Sequence, residues 1–158
     1  MNQSSSNKRT KQWWDSWFLG LAVYASTASK DPSTKCGAVV VNPERDKIFY
    51  GYNGFPGSIE DKEEWLADRP TKLATSIHAE MNAILKADCS VRGWTLYVNN
   101  FPCSNCAKHV IAKGIVEIHY IKNDDLAKRW ADSFTETRLL FERAGVKVVE
   151  HDLSGVGP

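Results

Sequence analysis

From position 13 onward, apolar residues recur every three or four places: Trp13, Trp14, Trp17, Phe18, Leu21, Ala22 and Ala25. This spacing predicts an amphipathic helix with an aromatic buried stripe, ending near Ser29. Positions 30–34 read as a turn, because Pro32 disfavours helical geometry at Asp31. The run Cys-Gly-Ala-Val-Val-Val at 36–41 predicts a strand buried on both faces, with 47–53 returning beside it after a hairpin loop. Gly-Tyr-Asn-Gly-Phe-Pro-Gly at 51–57 permits tight backbone and opens a long polar connection, in which only 61–67 suggests a short helix.

The second half alternates helix and strand. A helix at 77–87, capped by Thr75 or Ser76, carries His78, Met81, Asn82 and Leu85 at helical spacing and precedes a strand at 94–98. A turn at 101–106 leads into a helix stopped by Gly114, followed by a strand at 115–121, a helix at 134–144 and a strand at 146–151. Residues 123–132 are charged and predict neither. A hairpin followed by such alternation implies an α/β fold, a mixed five-stranded sheet with helices on both faces. Residues 12–152 read as one domain, between a polar, basic flexible tail at 1–11 and a loose tail at 153–158.

Composition narrows the classes of function. A chain of 158 residues can bury roughly 68–70% of its unfolded surface, so its core needs neither disulfides nor metal. Twenty Lys+Arg against 19 Asp+Glu, a net charge of +1, argue against a nucleic-acid partner and favour a small molecule. No run reaches the ~18 apolar residues of a membrane span, and the N-terminal residues do not resemble a secretory signal. The expected location is therefore the cytoplasm (a host cell's, for a viral source), where the four cysteines act as metal ligands, nucleophiles or small buried hydrophobes.

The candidate chemistry lies at two predicted helix starts. His78, Cys103 and Cys106 supply three zinc-type ligands, which leaves a fourth position for water, as in catalytic rather than structural zinc. Water on such an ion has its pKa lowered to about 7, and Glu80, two residues after His78, is placed to carry its proton. The plainer readings of the cysteine pair are core packing, a redox pair, or a structural zinc with His109, Cys89, Cys36 or His119 as fourth ligand. A structural site gives no reason for Glu80 to follow His78 or for Pro102 to precede the cysteines.

Together, His78-Ala79-Glu80 and Pro102-Cys103-Ser104-Asn105-Cys106 form the His-x-Glu, Pro-Cys-x-x-Cys signature of zinc nucleobase deaminases. With Gly51-Tyr52-Asn53-Gly54, and Asn82 after the glutamate, the chain resembles the deoxycytidylate (dCMP) deaminase family from about Lys30 to Val148. The resemblance implies a cytidine-deaminase-like, three-layer α/β/α fold that binds one zinc ion. It implies hydrolysis of dCMP to dUMP and ammonia for thymidylate synthesis, Glu80 protonating ring nitrogen 3 as water attacks carbon 4 and then protonating the departing ammonia. Asn53 is expected to hold the sugar, and Ala79 N–H and a carbonyl near Ser104 to meet the base edge; Asn82, one turn after His78 on the same face, either reaches the nucleotide or is a surface or interface polar residue. Some members bind the substrate phosphate through an Arg eleven residues after the zinc His. Cys89 stands there in this chain, which leaves Lys86, Lys108 or Arg92 as substitutes.

Members of the family also form hexamers, with activation by dCTP–Mg2+ and inhibition by dTTP. The resemblance places that regulatory nucleotide near Lys30, Asp31, Gly51, Tyr52, Asn53 and Gly54, with the segment from Asp61 through Lys62 and Glu64 to Trp65 closing over it, and Lys30, Lys35 and Lys62 as candidate cations for the triphosphate. The tryptophans at 13–17 read as core and subunit interface. Base-stacking platforms interleave cations, and no Lys or Arg follows Lys11 until Lys30. Two competing functions stand beside the free-nucleotide deaminase at this point: a polynucleotide base deaminase, and a noncatalytic zinc-stabilised interaction domain.

Overall fold

The computed structural model describes residues 8–156. Most of the expected tail at 1–11, and the end of the one at 153–158, lie outside the described residues. Five strands, β1 (Gly37–Val41), β2 (Ile48–Tyr52), β3 (Thr95–Val98), β4 (Glu117–Ile121) and β5 (Lys147–His151), form one sheet in the order β2-β1-β3-β4-β5. β1 is antiparallel to both β2 and β3, whereas β3, β4 and β5 run parallel. The helices are α1 (Lys11–Ser26), α2 (Glu63–Ala67), α3 (Arg69–Thr75), α4 (Ala79–Lys86), α5 (Ser104–Ala112), α6 (Asp124–Arg129) and α7 (Ala131–Ala144).

The period-two alternation of β1 sorts its side chains between two cores. Val39 and Val41 pack under Phe18, Leu19 and Ala22 of α1, beside Tyr97 and Ile121. Ala38 and Val40 face the other way, into a cluster with Ala83 and Ile84 of α4, Val110 of α5 and Phe134 and Phe141 of α7. Every residue of β1 is buried, as its unbroken apolar run predicts. The layers are thus helix, sheet and helices, the expected three-layer arrangement.

α1 is capped by Thr10, whose hydroxyl accepts from Trp13 N–H, so the helix begins one residue before the expected boundary. It ends at Ser26 rather than near Ser29. Ser26 and Thr27 hydroxyls donate to the carbonyls of Val23 and Tyr24, and Ser29 Oγ turns away to donate to Asn53 O. Beneath α1 runs a polar chain, buried at Asp15, Tyr97 and His119 and open to solvent at Lys11. Tyr97 OH donates to Asp15 at 2.7 Å, and Lys11 bridges Asp15 and Glu117 at 2.9 Å each. His119 sits between Glu117 and His151 at 2.6 and 2.8 Å, and burial holds its pKa below the ordinary imidazole value.

Close approach explains one glycine of the Gly-Tyr-Asn-Gly stretch. A Cβ on Gly51 would lie 2.5 Å from Ala79 O and still nearer Ala83 N, both backbone atoms of α4. β2 and α4 therefore touch backbone to backbone, which fixes where α4 starts. Gly51→Ala is expected to cost about 3 kcal/mol, the upper part of the overpacking range, because backbone cannot rotate aside. That is roughly a 10 °C fall in the thermal midpoint, and an unchanged melting curve would contradict it.

Two helices escaped the sequence pattern. α3 has Asp68 as N-cap, accepting from Thr71 N–H at 3.0 Å, and Pro70 in its first turn. α6 has Asn123 as N-cap, accepting from Leu126 N–H, with acids in its first turn and bases in its last. Both are too short for an apolar period to show.

Candidate active site

The start of α4 is set by three ties. Gly54 and Ile77 exchange backbone hydrogen bonds, and Asn82 Nδ2 donates to Tyr52 O at 2.7 Å. Ile77 is therefore held in a bridge, and the helix expected from 77 begins at Ala79 with His78 as its N-cap. Cys103 is the N-cap of α5, with its Sγ facing Cys106 N–H at 3.5 Å. α4 leads into β3 and α5 leaves it, so the central strand sets the spacing of the two helix starts.

There the ligand atoms converge. Cys103 Sγ and Cys106 Sγ lie 3.5 and 3.3 Å from His78 Nδ1, and the three atoms lie within 4.8 Å of one another. A tetrahedral zinc ion with ordinary bond lengths places N and S ligands about 3.6 Å apart. Hydrogen bonding from Cys106 and His78 brings the Cys103 thiol down to about 4, while the contact with Cys103, together with burial, pushes Cys106 up. Contact with Cys103 raises His78 to about 9. The donor set fits zinc, and among the described residues no other group of three His, Cys, Asp or Glu could hold a metal.

Glu80, in the first turn of α4, is 5% exposed, and burial pushes its carboxyl above the usual range. It lines a cleft of about 470 Å³ together with His78 and Cys103, within the range of small-molecule sites. Val98, Phe101, Leu126, Trp130 and Phe134 supply apolar wall, and Asn53, Asn100 and Cys36 a polar edge. Asn53 is spent on the wall itself, its Oδ1 accepting from Cys36 N–H and its Nδ2 donating to Thr34 O. Asp31 accepts from Ser33 and Thr34 N–H and pairs with buried Lys72 at 3.0 Å. Against its burial, those contacts hold the Asp31 carboxyl below its ordinary value.

The other residues singled out in the sequence are scattered. Ala79 is buried as the first residue of α4, where position leaves its N–H without an intrahelical acceptor. Asn82 is turned to Tyr52 O, and Ser104 N–H donates to Ser133 Oγ on α7. Lys86 is not brought to the cleft: its ammonium lies over the Tyr50 and Tyr52 rings at 5.3 and 5.2 Å. Lys108, Arg92 and exposed Cys89 do not line the cleft either. Lys30 pairs with Asp61 at 2.8 Å and Trp65 packs edgewise on Phe55, whereas Lys35, Lys62 and Glu64 are exposed. Arg69, Lys72, Asn100, Arg129, Trp130 and Phe134 line the cleft without having been anticipated from sequence. The caps Asp68 and Asn123 are the sequence signals that could have found α3 and α6, the helices that bring Arg69, Lys72 and Arg129.

Comparison with known proteins agrees with this geometry. The human protein named deoxycytidylate deaminase is 37% identical over 153 residues, which cover 92% of this chain and 84% of that protein. The mouse protein of that name is 39% identical over 141 residues, 84% of this chain and 76% of that protein. The crystal structure of dCMP deaminase from the cyanophage S-TIM5, in complex with dCMP and dUMP, superimposes with a TM-score of 0.70 over 91% of this chain and 100% of that one, at 22% identity. That likeness bears out the cytidine-deaminase-like fold. Residues 12–122 match the family described as the cytidine and deoxycytidylate deaminase zinc-binding region, and the chain belongs to that family.

Proposed function

We propose that this enzyme hydrolyses dCMP to dUMP and ammonia, supplying dUMP for thymidylate synthesis. The observation that carries the reading is the convergence of His78, Cys103 and Cys106 beside buried Glu80, in a cleft the size of a small-molecule site. Relatives named deoxycytidylate deaminase, and a balanced charge unsuited to a polynucleotide, support the substrate. His78 Nδ1, Cys103 Sγ and Cys106 Sγ would hold the metal. Zinc, when bound, supplies a Lewis acid that makes its water acidic near neutral pH.

The chain's own groups do the rest. Glu80 takes a proton from the attacking water and delivers it to ring nitrogen 3 of cytosine. It then takes the proton of the new hydroxyl on carbon 4 and passes it to the leaving amine, as the carbon 4–nitrogen bond breaks and the carbonyl forms. One water is consumed and one ammonia released. The apolar wall at Leu126, Trp130 and Phe134 excludes bulk water from the pyrimidine.

The test is to incubate zinc-loaded protein with dCMP, dCTP, deoxycytidine and a cytosine-containing oligonucleotide, following loss of cytosine absorbance. We expect dCMP to turn over, and turnover of the oligonucleotide without dCMP overturns the reading. The family resemblance extends the proposal to a cytoplasmic hexamer activated by dCTP–Mg2+ and inhibited by dTTP. The Lys30–Asp61 pair and the Phe55–Trp65 contact support a regulatory site there, since they join the two segments expected to enclose the effector. Rates on dCMP that ignore both effectors would remove regulation and leave the chemistry standing.

A further inference from the structure

We infer that Arg69 and Arg129 hold the 5′-phosphate of the substrate. The inference rests on the reading of the substrate as a deoxynucleoside monophosphate and assigns the part of it that the zinc signature leaves open. A nucleotide oriented for chemistry places its base at His78, Cys103 and Glu80, the buried end of the cleft. The phosphate then lies toward solvent, where the cleft must offer a dianion cationic partners.

Among the described residues, the lysines and arginines that line the cleft are Arg69, Lys72 and Arg129. Lys72 is already committed. Its ammonium is buried, pairs with Asp31 at 3.0 Å and donates to Ser33 Oγ at 3.2 Å, so its charge is matched and its donors serve the wall. Arg69, at the start of α3, and Arg129, at the end of α6, are exposed. Among the described residues neither guanidinium has a hydrogen bond, an ion pair or a ring contact. Arg138 lies over Phe101 at 4.9 Å and Arg9 over Trp13 at 4.1 Å, and Arg92 and Arg143, likewise without a partner among the described residues, do not line the cleft. Two uncommitted guanidinium groups, brought by different helices to one cleft, suit bidentate capture of a phosphate. Lys86, Lys108 and Arg92, the cations that sequence spacing left open for this task, are absent from the lining.

The experiment is steady-state kinetics of zinc-loaded wild type, Arg69→Ala, Arg129→Ala and the double variant, on dCMP and on deoxycytidine. Zinc content and dUMP affinity are measured on each protein. We expect each single variant to raise KM for dCMP and weaken dUMP binding on the order of tenfold, the double variant more, with kcat held within a few-fold. Activity on deoxycytidine, which has no phosphate, should stay within about twofold of wild type. Lysine at either position should restore part of the loss. The proposal is overturned if dCMP kinetics are unchanged in both single variants, or if dCMP and deoxycytidine activities fall in parallel. Failure of the underlying reading looks different: wild type itself then prefers deoxycytidine or the oligonucleotide to dCMP, and the assignment falls with it before any variant is made.

Discussion

Replacing Glu80 by Gln lowers kcat on dCMP by about a thousandfold or more, within the upper range for loss of a positioned proton carrier, while zinc stays near one ion per chain. The two halves of this result come from different structural facts. Gln has the shape of Glu and fits the same buried site at the start of α4, which is 5% exposed. The group that converges with His78 and Cys103 is Cys106, so the substitution leaves all three ligand atoms in place. What is lost is a group able to accept and release protons, and an amide can do neither at neutral pH. Metal analysis and initial rates on one preparation check both halves. A kcat within about tenfold of wild type would falsify the role given to Glu80. Loss of zinc instead would mean that the carboxylate helps to hold the ion.

The second large effect is at Cys106. Its sulfur lies 3.3 Å from His78 Nδ1, in a residue only 1% exposed. Cys106→Ala leaves two ligands, and two do not hold zinc against a modest chelator. Zinc and turnover should vanish together, while far-ultraviolet circular dichroism stays native. The fold persists because both cores, under α1 and under α4, α5 and α7, are complete without the ion. A variant that keeps stoichiometric zinc would show that a different residue completes the site.

These expectations were legible in the sequence to different depths. His-x-Glu and Cys-x-x-Cys place their members within one helical turn, so the residue order alone brings them near each other. That the two helix starts face each other was legible once strand 94–98 was recognised between them, because strand–helix alternation in an open sheet gathers such ends together. Asn82 was legible as important, but its tie to Tyr52 O, the backbone beside Gly51, joins residues 30 positions apart and was not. Arg69, Lys72 and Arg129 were not legible as site residues. A single charged residue on a six- or seven-residue helix looks like solvated surface until the chain folds it over a cavity. Lys72 became a wall residue only because Asp31, 41 positions earlier, meets it in the folded chain.

The four thiols differ in their surroundings and so in their reactivity. Cys36 lies on the cleft wall, where burial pushes its thiol up to about 12 and leaves it inert near neutral pH. Cys89 is exposed. Cys103 and Cys106 are shielded whenever zinc is bound. An alkylating reagent at neutral pH should therefore consume about one equivalent in the loaded protein and about two once chelation frees Cys103, with Cys106 following slowly. A colorimetric thiol titration thus reads the metal occupancy of the protein directly, without substrate and before any rate is measured.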